Sequence, residues 1–360
     1  MKTVRIYYFN PFLTADTLSY LEQHKLPLHS YYGLFHFRND VEVIIHSQKK
    51  PHSNSIGNRI FKNMCNAAKI IGAYRTYDIV YVTNSRGIKL IAFLRALKLF
   101  PKPVCMLMHW GIAAPSANRF KRFFSHLYIK GFDCLLFFNK ELLTESQKNC
   151  TITAKVVHWG SDVDFYKNIV CTEPTIPFLS TGTERRDFST LIRAFENQHT
   201  PCTLYLTEKS GNINYKSLFD TLSYNKSLID AHFLQQKIDV LAISSSAQCI
   251  VICLSPFARG KIYPLGLTSL LEAMSLAKPV IITHNLYNGI DVERIGCGIS
   301  VAYGDITGWE NAIQYMKENK EIAQKMGQRG REYVEKHYNL DIFAAELSDI
   351  FKEIYTQHYC

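Results

Sequence analysis

Between Tyr263 and Thr283 the chain passes from a loop with one glycine, through two hydroxyl residues, into an apolar helical segment and then a β-branched run. Unpaired N–H groups at the start of a helix, with Gly266, Leu267 and the hydroxyls of Thr268 and Ser269 beside them, make a natural phosphate cradle. Glu272 stands one turn further in, within reach of a ribose hydroxyl. A capped core helix with an exposed Glu accounts for the same residues equally well. His109 closes the apolar run Pro103–His109, ahead of Trp110 and Gly111. In open parallel sheets ligands collect at strand carboxyl ends, where this His would lie, although a lone His is more often structural.

A second kind of chemistry is electrostatic. Arg119, Arg122, His126 and Lys130 recur at three- and four-residue spacing, with Phe120, Phe123, Phe124 and Leu127 on another part of the same turns and Ser116 as a possible cap. A basic aromatic helix of this kind can lie on an anionic membrane. An ordinary sheet-covering helix with a solvated polar face fits as well. The loop 47–62, with Lys49, Lys50, Arg59 and Lys62, would add to the patch.

The elements that must position these residues alternate. Strand-like runs are expected at Val4–Phe9, Val41–His46, Asp78–Thr83, Pro103–His109, Asp133–Phe138 and Ala154–His158. A second set follows at Ile176–Thr181, Thr203–Thr207, Gln248–Leu254, Pro279–Thr283 and Gly298–Val301. Helical stretches such as Ile88–Lys98, Phe188–Glu196, Ser269–Leu276 and Gly308–Lys317 separate them, the pattern of parallel sheets covered by helices. Asn168–Pro177 reads as a linker, so the expected fold is α/β, two Rossmann-like domains facing a central cleft. Leu340, Phe343, Leu347, Ile350 and Ile354 spell a closing amphipathic helix. It belongs to the second domain's core or crosses back to the first.

Composition narrows the partners. The 360 residues, 47% hydrophobic and 20% charged, suit two domains of ordinary size and not a disordered chain. No apolar run reaches the length of a spanning helix, and the start reads as a first strand and not a signal peptide. Ten cysteines include no Cys-x-x-Cys pair, and Cys249 and Cys253 have no second pair to complete a zinc site. A reducing cytoplasm is therefore expected, and sequons at Asn149 and Asn225 carry no weight there. Residues 1–165 hold 22 Lys and Arg against 10 Asp and Glu, whereas the remainder holds 19 against 21. One half should meet something anionic. Nucleic acid is not expected, because no zinc-finger, RNA-recognition or basic-tail pattern occurs.

The Tyr263–Thr283 stretch resembles the nucleotide-sugar motif of retaining GT-B glycosyltransferases, particularly glycosyltransferase family 4: Gly-Leu, a short hydrophobic stretch, Glu-Ala-Met-Ala, then Gly-x-Pro-Val-Ile. Phe178–Phe195 is similar to the first strand and turn of their donor domain, where Gly and a basic residue meet the diphosphate. Val157–Phe165 is similar to the segment that ends their first domain, and Gly296–Asp305 continues the match. The resemblance implies residues 1–165 as an acceptor domain, 166–338 as a donor domain and 339–360 as a terminal helix. It implies donor contacts at Gly182, Thr183, Arg186, Gly266, Leu267, Thr268, Ser269 and Glu272, with Arg185 as the alternate to Arg186 and His109 near the donor sugar. A surface Arg at a helix start remains open as the reading of Arg186.

The implied activity is metal-independent, retaining transfer of a hexosyl group from a UDP- or GDP-linked sugar to a saccharide or lipid-linked saccharide, without a cofactor. It would serve cell-surface polysaccharide or glycolipid synthesis, in the cytoplasm or peripherally at the inner membrane face through Arg119, Arg122 and Lys130. Asp162-Val163-Asp164 spells the metal-holding Asp-x-Asp of GT-A enzymes, but its setting fits the interdomain segment better. Two departures stand out. Pro264 occupies the place, eight before Glu272, where the family commonly has a sugar-contacting Glu, and Asn10-Pro11-Phe12 replaces paired glycines after the first strand. A catalytically silent GT-B partner and a nucleotide-sugar epimerase are the alternatives.

Overall fold

The computed structural model describes residues 3–45, 56–169, 173–182, 184–210, 213–234, 237–256 and 262–360. The chain forms two units. The first takes residues 1–160, 260–263 and 340–360, and the second takes 161–259 and 264–339.

In the first unit, strands β1 (Val4–Phe9), β2 (Val41–Ile45), β3 (Ile79–Val82), β4 (Val104–Met108), β5 (Cys134–Phe137) and β6 (Ala154–Val156) form one parallel sheet in the order β2-β1-β3-β4-β5-β6. Strands β3, β4 and β5 are buried along their whole length, which is why they read as unbroken apolar runs and not as alternation. Between the strands lie α1 (Ala15–Glu22), α2 (Ile56–Gly72), α3 (Lys89–Ala96), α4 (Arg119–Lys130) and α5 (Lys140–Gln147). Asn118, not Ser116, caps α4: its side chain accepts from the Lys121 N–H, while Ser116 Oγ accepts from the Asn118 N–H.

The second unit opens on α6 (Val163–Lys167), started by Asp162, whose carboxylate accepts from the Phe165 N–H. That cap accounts for the first acid of the Asp-x-Asp sequence, and Asp164 pairs with Lys167. Then come β7 (Ile176–Thr181), α7 (Phe188–Asn197), β8 (Cys202–Thr207), a short hairpin of β9 (Lys209–Ser210) and β10 (Ile213–Asn214), α8 (Tyr215–Thr221) and β11 (Ile229–Leu234). The chain continues through α9 (Lys237–Ser245), β12 (Ala247–Ile252), α10 (Leu267–Ser275), β13 (Val280–Thr283), α11 (Val292–Ile295), β14 (Gly298–Val301), α12 (Ile306–Glu318) and α13 (Lys320–His337). Its parallel sheet runs β11-β8-β7-β12-β13-β14. Phe178, Phe188, Leu191, Phe195, Val251, Trp309 and Ile313 fill the core between sheet and helices.

The last helix, α14 (Leu340–Tyr359), belongs to the first unit. It buries Phe343, Leu347, Ile350, Phe351 and Ile354, and the Phe351 ring lies 5.1 Å from Tyr81 and 5.9 Å from Phe37. Ion pairs line its polar side: Arg38–Asp349, Asp40–Lys352, Lys155–Glu353 at 2.7 Å and His158–Glu346 at 2.7 Å.

The last pair makes a pH prediction. The hydrogen bond to Glu346, followed by burial that works against it, leaves His158 above its ordinary pKa. A raised folded-state pKa means a contribution fully present below the unfolded value, about 6.5, and lost as pH rises through the folded value. Both groups are partly exposed, so solvent screens the gain. Stability should therefore decline from pH 6 towards pH 8 in the wild type, and Glu346→Gln should flatten that slope in denaturant titrations.

Candidate functional site

In each sheet the strand order reverses once, and ligands of such folds bind beyond the carboxyl ends of the two strands at that point. In the second unit the reversal lies between β7 and β12. The turn after β7 and the start of α10 both lie there, so the two sequence-distant candidates come together.

Arg186 joins them. Its guanidinium donates to the Thr181 carbonyl from Nε at 3.2 Å and from Nη2 at 3.0 Å, to the Glu184 carbonyl at 3.2 Å, and to Ser269 Oγ at 2.8 Å. All of these acceptors are neutral. The side chain is 9% exposed, which rules out the reading of a surface Arg at a helix start. Burial lowers its pKa to about 10, with Glu184 the first group acting against the shift, so the cation persists at neutral pH. Glu184 and Glu272 both act on the cation through space in favour of its charged form, so the guanidinium stays charged although its hydrogen-bond acceptors are neutral.

The turn is built to hold that side chain. Gly182 has φ +83, and a Cβ there would stand 2.8 Å from Arg186 Nη2. Arg185, at φ +53, swings outward and donates to the Pro256 carbonyl. Arg186 bridges Leu254, the Ser255 N–H donates to the Arg185 carbonyl at 2.7 Å, and Asp187 caps α7. Thr183 lies outside the described residues.

At the other wall, α10 starts from Gly266 at φ +78, and no side chain caps it. The two hydroxyls are therefore not caps: Ser269 serves Arg186, and Thr268 is half-buried one position earlier. Leu267 is buried, so only its backbone is available to a ligand. Glu272 is half-buried and not the exposed residue of the simpler reading. It shares a helix side with Ser269 by three-residue spacing. The Tyr166 hydroxyl of α6 lies against its carboxylate: burial first, then Glu272 and Asp162, push the pKa of that hydroxyl well up. Sequence spacing gives no sign of this partner, 106 positions away. Pro264 is buried ahead of α10 and brings no acid to the site.

In the first unit the order reverses between β1 and β3. Thr83, just past β3, donates its N–H and its hydroxyl to the Phe9 carbonyl at 3.0 and 3.2 Å. His109 lies past β4, with Nε2 2.7 Å from the Thr83 carbonyl. A carbonyl only accepts, so Nε2 carries the proton and the neutral ring leaves Nδ1 as an acceptor. Burial lowers the His109 pKa, partly offset by that bond, so the ring is neutral at pH 7. Aromatic rings flank it: Tyr32 at 5.1 Å, Phe138 at 5.6 Å and exposed Trp110 at 6.3 Å. Asn10, in place of the paired glycines, is buried and accepts from the Phe12 N–H.

No family model matches the chain, and no curated protein matches it. Among solved structures, sucrose-phosphate synthase from Thermosynechococcus elongatus superposes with TM-score 0.67 at 15% identity, over 99% of this chain and 100% of that one. A glycosyltransferase from Rickettsia africae gives 0.64 at 16%, over 98% and 99%. Anabaena HepE, solved with UDP and glucose, gives 0.65 at 14%, over 97% and 100%. At these identities the likeness speaks for the fold. The chain has the α/β fold of two parallel six-stranded sheets that two-domain glycosyltransferases of GT-B type share.

Proposed function

We propose that the protein is a glycosyltransferase that moves a hexosyl group from a nucleotide diphosphate sugar to a saccharide or lipid-linked saccharide, with retention of configuration and without a metal. The observation that carries this reading is Arg186, a buried cation whose hydrogen-bond acceptors among the described residues are neutral, beside Gly182 and the start of α10, which no side chain caps. When the glycosidic bond breaks, charge accumulates on the departing diphosphate. A fixed cation and free helix N–H groups stabilise that charge more in the transition state than in the ground state. Gly182, Thr183, Arg186 and Gly266–Ser269 hold the phosphates, and Glu272 accepts from the ribose. The first unit takes the acceptor, and Nδ1 of His109 accepts from a sugar hydroxyl. The leaving phosphate takes the acceptor's proton, so no side chain is assigned as base.

The donor is UDP- or GDP-linked, and UDP is the first candidate because HepE was solved with UDP and with UDP-glucose. Synthesis of cell-surface polysaccharide or glycolipid in the cytoplasm, at the inner membrane face through Arg119, Arg122 and Lys130, fits the same reading. One observation favours a second: Pro264 stands where a sugar-contacting acid would be, as expected of a silent partner of an active transferase.

Thermal unfolding with UDP, GDP, ADP and CMP identifies the base, and product analysis with the matching sugar donor tests the transfer. Glu272→Ala should lower kcat/KM for the donor about 10- to 100-fold, the loss of one charge-assisted hydrogen bond. If wild type releases no nucleotide with any acceptor yet binds one nucleotide, the silent-partner reading replaces this one. If no nucleotide binds, the proposal fails.

A further inference from the structure

Among the described residues of the first unit, two helices expose apolar side chains. Exposed Ile60, Met64, Ala68 and Ile71 recur every three or four residues along α2, so they share one side of that helix, with Phe61 beside them. Asn66, Ala67 and Ile70 are buried on the adjoining side of the same helix, so the apolar arc of α2 continues from its packed side onto its exposed one.

On α4, Phe120 is 79% exposed and Phe123 60% exposed, Phe124 is exposed next to them, and no residue of the helix is buried. The crossovers β2→β3, β3→β4 and β4→β5 all advance in one direction across the sheet. Right-handed connections therefore place α2, α3 and α4 on one face. Asn63 of α2 accepts from the Lys89 N–H that begins α3, and the Phe124 ring of α4 lies 6.3 Å from Phe93 of α3.

Charge says what covers this face. From residue 56 to residue 132 the sequence holds 13 Lys and Arg and one acid, Asp78. That acid is engaged by Arg5 at 2.9 and 3.1 Å. Arg59 and Lys62 therefore flank the apolar residues of α2, and Arg119, Lys121, Arg122 and Lys130 those of α4, with no carboxylate among them. The same face of a second copy would bring cations against cations, and a purely acidic surface would leave the phenylalanines unmatched. An anionic lipid leaflet offers phosphates at the depth of the cations and acyl chains below them.

We propose that α2 and α4 form a membrane-binding face that inserts Phe61, Met64, Phe120 and Phe123 into the acyl boundary of an anionic leaflet. The basic residues beside them hold headgroup phosphates. This goes beyond electrostatic attraction by the basic side of α4, since half of the inserted residues come from α2. It stands without the transferase reading, because lipid binding needs no donor.

Co-sedimentation of the full chain with vesicles tests it, comparing phosphatidylcholine alone with vesicles containing about 30% phosphatidylglycerol, a level that gives a negative surface potential. Wild type should bind the anionic vesicles and stay soluble with the neutral ones. Phe120→Ser/Phe123→Ser and, separately, Phe61→Ser/Met64→Ser should each weaken binding at least 10-fold. Thermal unfolding should stay unchanged, because these side chains are exposed. Lys121→Glu/Arg122→Glu should remove the preference for anionic lipid. The proposal is overturned if wild type ignores anionic vesicles, or if the α2 pair binds like wild type. Wild-type dimers that the phenylalanine variants dissociate, with vesicle binding intact, would instead assign the face to a second copy.

Discussion

Arg186→Ala is expected to remove nucleotide binding. In the wild type, a nucleoside diphosphate at about a hundred times its Kd should add about 2.7 kcal/mol of stability. In the variant the same concentration should give almost no shift. Two losses combine: the cation proposed to meet the phosphates, and the bonds to Thr181 and Ser269 that tie the β7 turn to α10. Arg186→Lys separates them. Lysine keeps a charge but cannot donate in several fixed directions, so it should retain part of the affinity and less of the turn's order. Without ligand, Arg186→Ala exchanges a costly buried charge for unpaired oxygens, two opposing effects that keep its stability change smaller than its binding change. Titration calorimetry with the diphosphate that shifts the wild type measures the loss directly. If Arg186→Ala binds within threefold of wild type, the phosphate site is elsewhere.

The second large effect is purely steric. Gly131, which ends α4, has φ −76, a conformation any residue adopts. A Cβ there would stand 2.1 Å from the Ala92 carbonyl oxygen of α3. Backbone on both sides leaves nothing flexible to give way, so α3 and α4 must separate. Gly131→Ala should cost about 2–4 kcal/mol, against a gain of less than about 1 kcal/mol from a stiffer unfolded chain. For a unit of this size that corresponds to a fall of roughly 5–15 °C in Tm. Gly57, in the first turn of α2, is the control, because no atom lies within 4 Å of its added Cβ. Gly57→Ala should be neutral or slightly stabilising in the same melts. A Gly131→Ala protein as stable as wild type would mean that α3 and α4 are not packed this closely.

Much of the fold was legible because buried parallel strands write themselves as unbroken β-branched and aromatic runs. Val4–Phe9, Ile176–Thr181 and Gly298–Val301 carry the bounds that their patterns predict. The spacing of Phe343, Leu347, Ile350 and Ile354 likewise matches the buried side of α14. Edge strand β11 escaped notice, since Asp230 and His232 break its apolar run where only one neighbouring strand covers it. Helix α13 escaped for another reason: its contact surface is partly glycine, and Gly327 lies against the Ala277 backbone where a side chain would normally signal burial.

The geometry of the candidate site was legible only in part. Gly182, Arg186 and Ser269 could be named from their stretches, but not that one hydrogen bond spans the 83 positions between the last two. Nor could sequence decide between Arg185 and Arg186, because a left-handed turn residue, not residue type, chooses which one enters the fold. Helix α2 escaped too: residues 56–62, read as the end of a loop, open this helix, and Ile60, Met64 and Ile71 along it are exposed, whereas Lys49 and Lys50 lie outside the described residues.

The placement of α14 has a consequence for synthesis. The first unit's strands leave the ribosome long before the helix that seals Tyr81 and Phe37, with the whole second unit made in between. The later-made unit can thus finish folding first, while the earlier one waits with an open aromatic seam and a closure spanning about three-quarters of the chain or more. A chain that stalls before Leu340 would release a finished second unit attached to a sticky, unfinished first one, the kind of intermediate that chaperones hold.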